Sequence, residues 1–71
     1  MSTFWFTFGQ AHTHSFNGKT LDKDCVIEME APSYEAARAR MIELFGGKWS
    51  MQYEGMPEMK YYPKGIVVVY Y

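Results

Sequence analysis

Cysteine is almost absent: Cys25 stands alone in the chain. No intrachain disulfide can staple the fold, and a reducing, cytoplasmic setting is expected. An excess of charge of one sign is missing too, because seven Lys and Arg against eight Asp and Glu leave a formal net charge of −1, with both signs scattered. There is no basic stripe of the kind counterion-release binding to nucleic acid requires, so direct nucleic-acid binding is not expected, and there is no acidic run for mimicking DNA. Long hydrophobic runs are missing as well. The longest, residues 66–71, falls far short of the roughly 20 residues of a membrane-spanning helix. The N-terminus lacks a charged segment ahead of its apolar residues, so neither a secretory leader nor a membrane association is expected. No Gly-rich phosphate loop, carboxylate dyad or Ser/His/Asp arrangement stands out, which points away from an enzyme and from a bound cofactor.

What is present is apolar and aromatic. Apolar residues make up 48% of the 71 and aromatics 18%, a composition that folds. One domain over residues 1–71 is expected, with a small core, since a chain of this length buries only about 60% of its unfolded surface.

Residues 3–8 alternate, with Phe4, Phe6 and Phe8 on one side and Thr3, Trp5 and Thr7 on the other. Residues 25–31 alternate too: Cys25, Ile27, Met29 and Ala31 share a face, and Val26, Glu28 and Glu30 take the other. Both read as half-buried strands. Asn17-Gly18 between them signals a two-residue type I′ hairpin. That turn pairs Phe16 with Lys19, and the ladder then runs through His14 with Leu21, His12 with Lys23, Gln10 with Cys25, Phe8 with Ile27, Phe6 with Met29 and Phe4 with Ala31. Phe4, Phe6 and Phe8 of the first strand each meet an apolar residue of the second on one face, and a slip of one residue would bury Glu28 and Glu30. Gly9 is the weak point, because an isolated glycine in a strand often marks a bulge.

After Pro32, Ser33 is a good N-cap for a helix over residues 34–45, and Gly46 or Gly47 can close it. Tyr34, Ala37, Met41, Leu44 and Phe45 form its apolar stripe, which should sit on the phenylalanine face of the sheet. Glu35 and Arg38 are spaced for a surface ion pair. Residues 49–54 read as a further strand, 55–58 as a loop, and 62–65 as a turn. Residues 66–71 are apolar on both faces, so this strand either lies centrally under cover or offers one face to a partner. The fold class expected is α+β: a small, mostly antiparallel sheet, β-β-α-β-β in chain order, with one helix on one face.

Two sets of residues could carry function. In the expected register His12, His14 and Cys25 share a face near the hairpin tip, and His-x-His plus a thiolate is a zinc-type ligand set, which makes a small metal- or nucleotide-binding domain the alternative reading. A fourth ligand is wanting, because Asp22 and Asp24 fall on the opposite face; polar residues on a solvated tip account for the same pattern. The second set is the aromatic surplus. Trp5 lies with Glu28 and Glu30 on the face one helix cannot cover, and Tyr61, Tyr62, Tyr70 and Tyr71 crowd the last third of the chain. Tyr and Trp are favoured in protein interfaces because they bury much area at low entropic cost. Either loops and the tail fold back over this face, or a protein partner does, a second copy joined through residues 66–71 among them.

The segments "TFWFTFGQAHTH", "SYEAARARMIELFGGKWSMQY" and "YYPKGIVV" resemble a group of small proteins encoded by tailed bacteriophages and prophages. The resemblance spans most of the chain and carries no catalytic motif. It implies a non-enzymatic viral protein that acts in the host cytoplasm by binding and blocking a host protein or defence complex, as anti-CRISPR and other anti-defence inhibitors do.

Overall fold

A computed structural model of the chain describes residues 1–10, 12–16 and 18–70. The fold is α+β, as expected. Strands β1 (Ser2–Thr7), β2 (His14–Phe16), β3 (Lys19–Leu21) and β4 (Cys25–Ala31) precede helix α1 (Tyr34–Phe45). Strand β5 (Met51–Tyr53), a short 3-10 helix (Met59–Tyr61) and strand β6 (Gly65–Val68) follow. The main sheet has the order β5-β1-β4-β6, and β2-β3 form a separate two-stranded ribbon. Strand β1 pairs antiparallel with both β4 and β5, whereas β6 runs parallel to β4.

The helix is bounded as its caps dictate. Ser33 Oγ accepts the amide of Ala36 at 3.1 Å, and Gly46, at φ 65°, donates its own amide to the Ile42 carbonyl at 2.8 Å. Ala37, Met41 and Phe45 are the buried side chains of the stripe, and they meet Phe4, Phe6, Phe8, Ile27, Met29 and Ala31 in one core. Tyr34 meets Phe4 edge-on at 5.9 Å while staying partly exposed. The ion pair on the helix is Arg40 with Glu43 at 2.9 Å, not Arg38 with Glu35. Arg38 stacks instead over the Trp49 ring, 5.5 Å from its centroid.

The hairpin departs from the expected ladder. His14–Leu21 and Phe16–Lys19 pair as the turn predicts, although Asn17 itself lies outside the described residues. Beyond Gly9 the register is displaced by two: Ser2 faces Ala31, Phe4 faces Met29 and Phe6 faces Ile27. The cause is backbone geometry. Gly9 takes φ 66°, which ends the extended run after Phe8, and the return strand is broken by the turn in which Asp24 donates its amide to Asp22 Oδ1 at 3.0 Å. A displacement of two keeps every side chain on its face, so the phenylalanines still point to the helix.

The remaining strands are shorter than expected and one is differently placed. Trp49 leaves β5 to pack on the helix side, its Nε1 donating to the Gly46 carbonyl at 3.1 Å and its ring edge-on to Phe6 at 5.4 Å. β6 is neither central nor covered on both sides; it is an edge strand. Val67 packs against the core and Val69 beyond it is buried, while Ile66 and Val68 are 36% and 49% exposed.

Candidate functional site

Pairing fixes which side chains share the sheet face away from the helix. Trp5 lies between Glu28 and Tyr53, Thr7 between Val26 and Met51, and Thr3 opposite Glu30. On β6, Ile66 and Val68 flank Val26 and Glu28. One end of this face is covered. Thr7 and Val26 are buried there, and half-buried Tyr62 lies close to the Thr7 side chain; burial and the neighbouring Tyr53 push its phenol pKa up, with the Thr7 side chain opposing. The other end is open.

At the open end Trp5 Nε1 donates to Glu28 Oε1 at 3.1 Å, fixing the indole and the carboxylate against each other. Glu28 and Glu30, with Met1, Val68, Val69 and Tyr70, line a cavity of about 290 Å³. Tyr70 stands at its rim, 82% exposed. A second, larger groove of about 540 Å³ runs along the covered end, with Met51, Tyr53, Tyr61 and Tyr62 on its walls and Lys23 and Asp24 at its border. Lys60 Nζ sits 5.2 Å from the Tyr61 ring centroid.

Thus Trp5, Glu28, Glu30 and Tyr70 come together, and Tyr61 and Tyr62 gather in a second cluster on the same face. Tyr71 lies outside the described residues. Val68, Met51 and Tyr53 belong to this surface and were not singled out from the sequence. Alternation in residues 51–53 places Met51 and Tyr53 on one side, but only the pairing of β5 with β1 shows which side that is.

The histidine set does not assemble as expected. The ring of His14 fills space between Phe8 and Phe45, with centroids 5.4 and 4.9 Å away, and its Nε2 lies 2.7 Å from the Lys48 carbonyl, which makes that nitrogen the donor. His12 is half-buried in the link between β1 and β2. Cys25 is buried; its Sγ donates to the Asp22 carbonyl at 3.3 Å and accepts the Asp22 amide at 3.2 Å. Burial pushes its thiol pKa up, which disfavours the thiolate that metal ligation and nucleophilic attack both need. Among the described residues no three His, Cys, Asp or Glu side chains gather as a metal site. The ladder of β2 with β3 ends at His14–Leu21, and Cys25 pairs with Gly65 in the main sheet instead of lying diagonally across from His12 in that ladder.

No family model matches the chain, and no curated protein or solved structure is similar enough to place it in a family.

Proposed function

We propose that the protein is a non-enzymatic binding module that holds a protein partner on the open end of its sheet, around Trp5, Glu28, Glu30 and Tyr70. The contrast between the two faces carries this reading. One face is closed by a capped helix, while the other presents two carboxylates and an exposed tyrosine around a cavity, with an indole braced against one of the carboxylates. Such a surface suits binding on physical grounds. Aromatic anchors supply area at little entropic cost, and a carboxylate already held by Trp5 loses little freedom when a partner arrives. The nature of the partner rests on the sequence resemblance: a host complex that a small phage protein of the anti-CRISPR or anti-defence type blocks.

Comparative capture tests the reading. Immobilised wild-type protein and the Tyr70→Ala and Glu30→Lys variants are exposed to a bacterial host lysate, with melting curves recorded for each. Host proteins retained by the wild type and released by both variants, at unchanged melting temperature, are the expected result. An identical retained set for all three proteins overturns the surface assignment.

A further inference from the structure

The outer side of β6 pairs with no strand among the described residues. Val69 donates its amide to the Glu28 carbonyl at 2.9 Å. Successive residues of a strand direct their N–H and C=O groups to opposite edges, so those of Ile66 and Val68 point away from β4. Edge strands are ordinarily blunted by a charge, a proline or a bulge. Gly65–Val68 contains neither charge nor proline, and Ile66 and Val68 are the exposed members.

Charge along this edge is polarised. Near Ile66 a cleft of about 340 Å³ is lined by Lys19 and Lys64. Near Val68 the cavity already described carries Glu28 and Glu30. Lys64 is tied to Asp22, but Lys19, Glu28 and Glu30 take part in none of the ion pairs formed among the described residues.

We infer that a second copy of this chain pairs antiparallel with β6. A two-fold axis at Val67 sets Ile66 of each copy opposite Val68 of the other, making two apolar cross-strand pairs and satisfying the outward backbone groups. The same operation carries the Lys19 end of one copy toward the Glu28/Glu30 end of the other. A parallel arrangement would align like ends, and a wholly basic segment would match only one end. The pairing is isologous and closes at two copies. It makes one continuous eight-stranded sheet and brings the two open faces side by side. A four-residue strand buries less than the roughly 800 Å² per partner of a standard interface, so the association is expected to be weak and concentration-dependent.

Sedimentation from about 1 μM to about 1 mM tests this, together with amide exchange at the two ends of that range. The expected result is a monomer–dimer equilibrium in which the Ile66 and Val68 amides gain protection as dimer forms. Val68→Lys and Ile66→Lys should each raise the dissociation constant by about tenfold or more. Lys19→Glu should weaken the dimer, and adding Glu30→Lys should restore it. A monomer throughout the range overturns the inference. So does a dimer that survives both lysine substitutions, or one in which the Ile66 and Val68 amides exchange as they do in the monomer. If a lysine variant fails to fold, the exchange pattern of the wild type decides. Capture of a host protein through Tyr70 does not depend on the outcome.

Discussion

Lys64 Nζ lies 2.7 Å from Asp22 Oδ2, joining the turn that enters β4 to the turn that enters β6. The same two turns are linked by the Lys64 amide on the Asp24 carbonyl at 2.8 Å, and Asp22 Oδ1 receives the Asp24 amide at 3.0 Å. One carboxylate therefore organises its own loop and anchors the start of the parallel strand. Parallel pairs cannot be closed by a tight hairpin, so β6 depends on a tie of this kind to find its register beside β4.

The tie should be visible in the pH dependence of stability. Lys64 holds the Asp22 carboxyl below its ordinary range, and Asp22 holds the Lys64 ammonium above its own. A depressed acid stabilises the fold above its unfolded-state pKa and loses that contribution as pH falls through the folded value. A raised base stabilises below its unfolded-state pKa and loses that contribution as pH rises through the folded value. The bridge is thus intact across neutral pH. Asp22→Asn keeps the acceptor for Asp24 while removing the charge, so it should melt lower than wild type at neutral pH, with the gap closing in acid and again in strong alkali. Thermal melts across the range check this; a gap that is the same in acid and at neutrality would remove the charge pair as its cause.

Gly9 should be intolerant of a side chain. At φ 66° an alanine is strained, and its Cβ would meet Ser50 Cβ at 3.1 Å and Oγ at 3.2 Å. Ser50 cannot retreat freely, because its amide donates to the Thr7 carbonyl at 2.8 Å and so holds the approach to β5. Gly9→Ala should cost about 1–2 kcal/mol from backbone strain alone, and more with the contact. Chemical denaturation of Gly9→Ala, with and without Ser50→Gly, separates the two, since the second change relieves the contact and leaves the strain. Full recovery in the double variant would show that the backbone conformation carries no cost.

What the sequence conveyed followed from how local each cause is. Ser33, Gly46 and the stripe between them determine α1 from within a dozen residues, and the helix spans the residues expected. The two long strands and their faces were readable because alternation has a period of two. That same period hid the displacement at Gly9, since a shift of two leaves the hydrophobic pattern unchanged. The neighbours of β5 and β6 were not readable: one pairs with β1 across 44 to 48 residues and the other runs parallel to β4, so neither leaves a short-range mark. The candidate surface divides likewise. Trp5, Glu28 and Glu30 share a face by parity, whereas their junction with Tyr70 and Val68 arises only from where β6 docks.

Neighbouring positions on α1 should differ sharply in cost. Met41 is fully buried among the phenylalanines, and Ile42 is 47% exposed. Met41→Ala removes packed atoms and leaves a cavity, for an expected loss of about 2–5 kcal/mol. A domain this small has only about 3–5 kcal/mol to lose, so this variant should melt far below wild type by circular dichroism. Ile42→Ala should stay within about 0.5 kcal/mol of wild type. Comparable losses at the two positions would mean that the helix meets the sheet through a different stripe.

Cys25 should report global unfolding. Its thiol is buried, bonded to the Asp22 backbone on both sides, and raised in pKa chiefly by burial. A thiol reagent therefore has to wait for an opening that frees β4 and the Asp22 turn together. If that opening costs the full stability of about 3–5 kcal/mol, modification should be slower than for an unstructured cysteine by a factor on the order of 10²–10⁴. Denaturant should accelerate it in step with the loss of helix signal. Asp22→Asn and Gly9→Ala should both speed the reaction, because each lowers the cost of opening. Rapid stoichiometric labelling of the native protein would place the thiol outside the core and undo the packing of β4 described above.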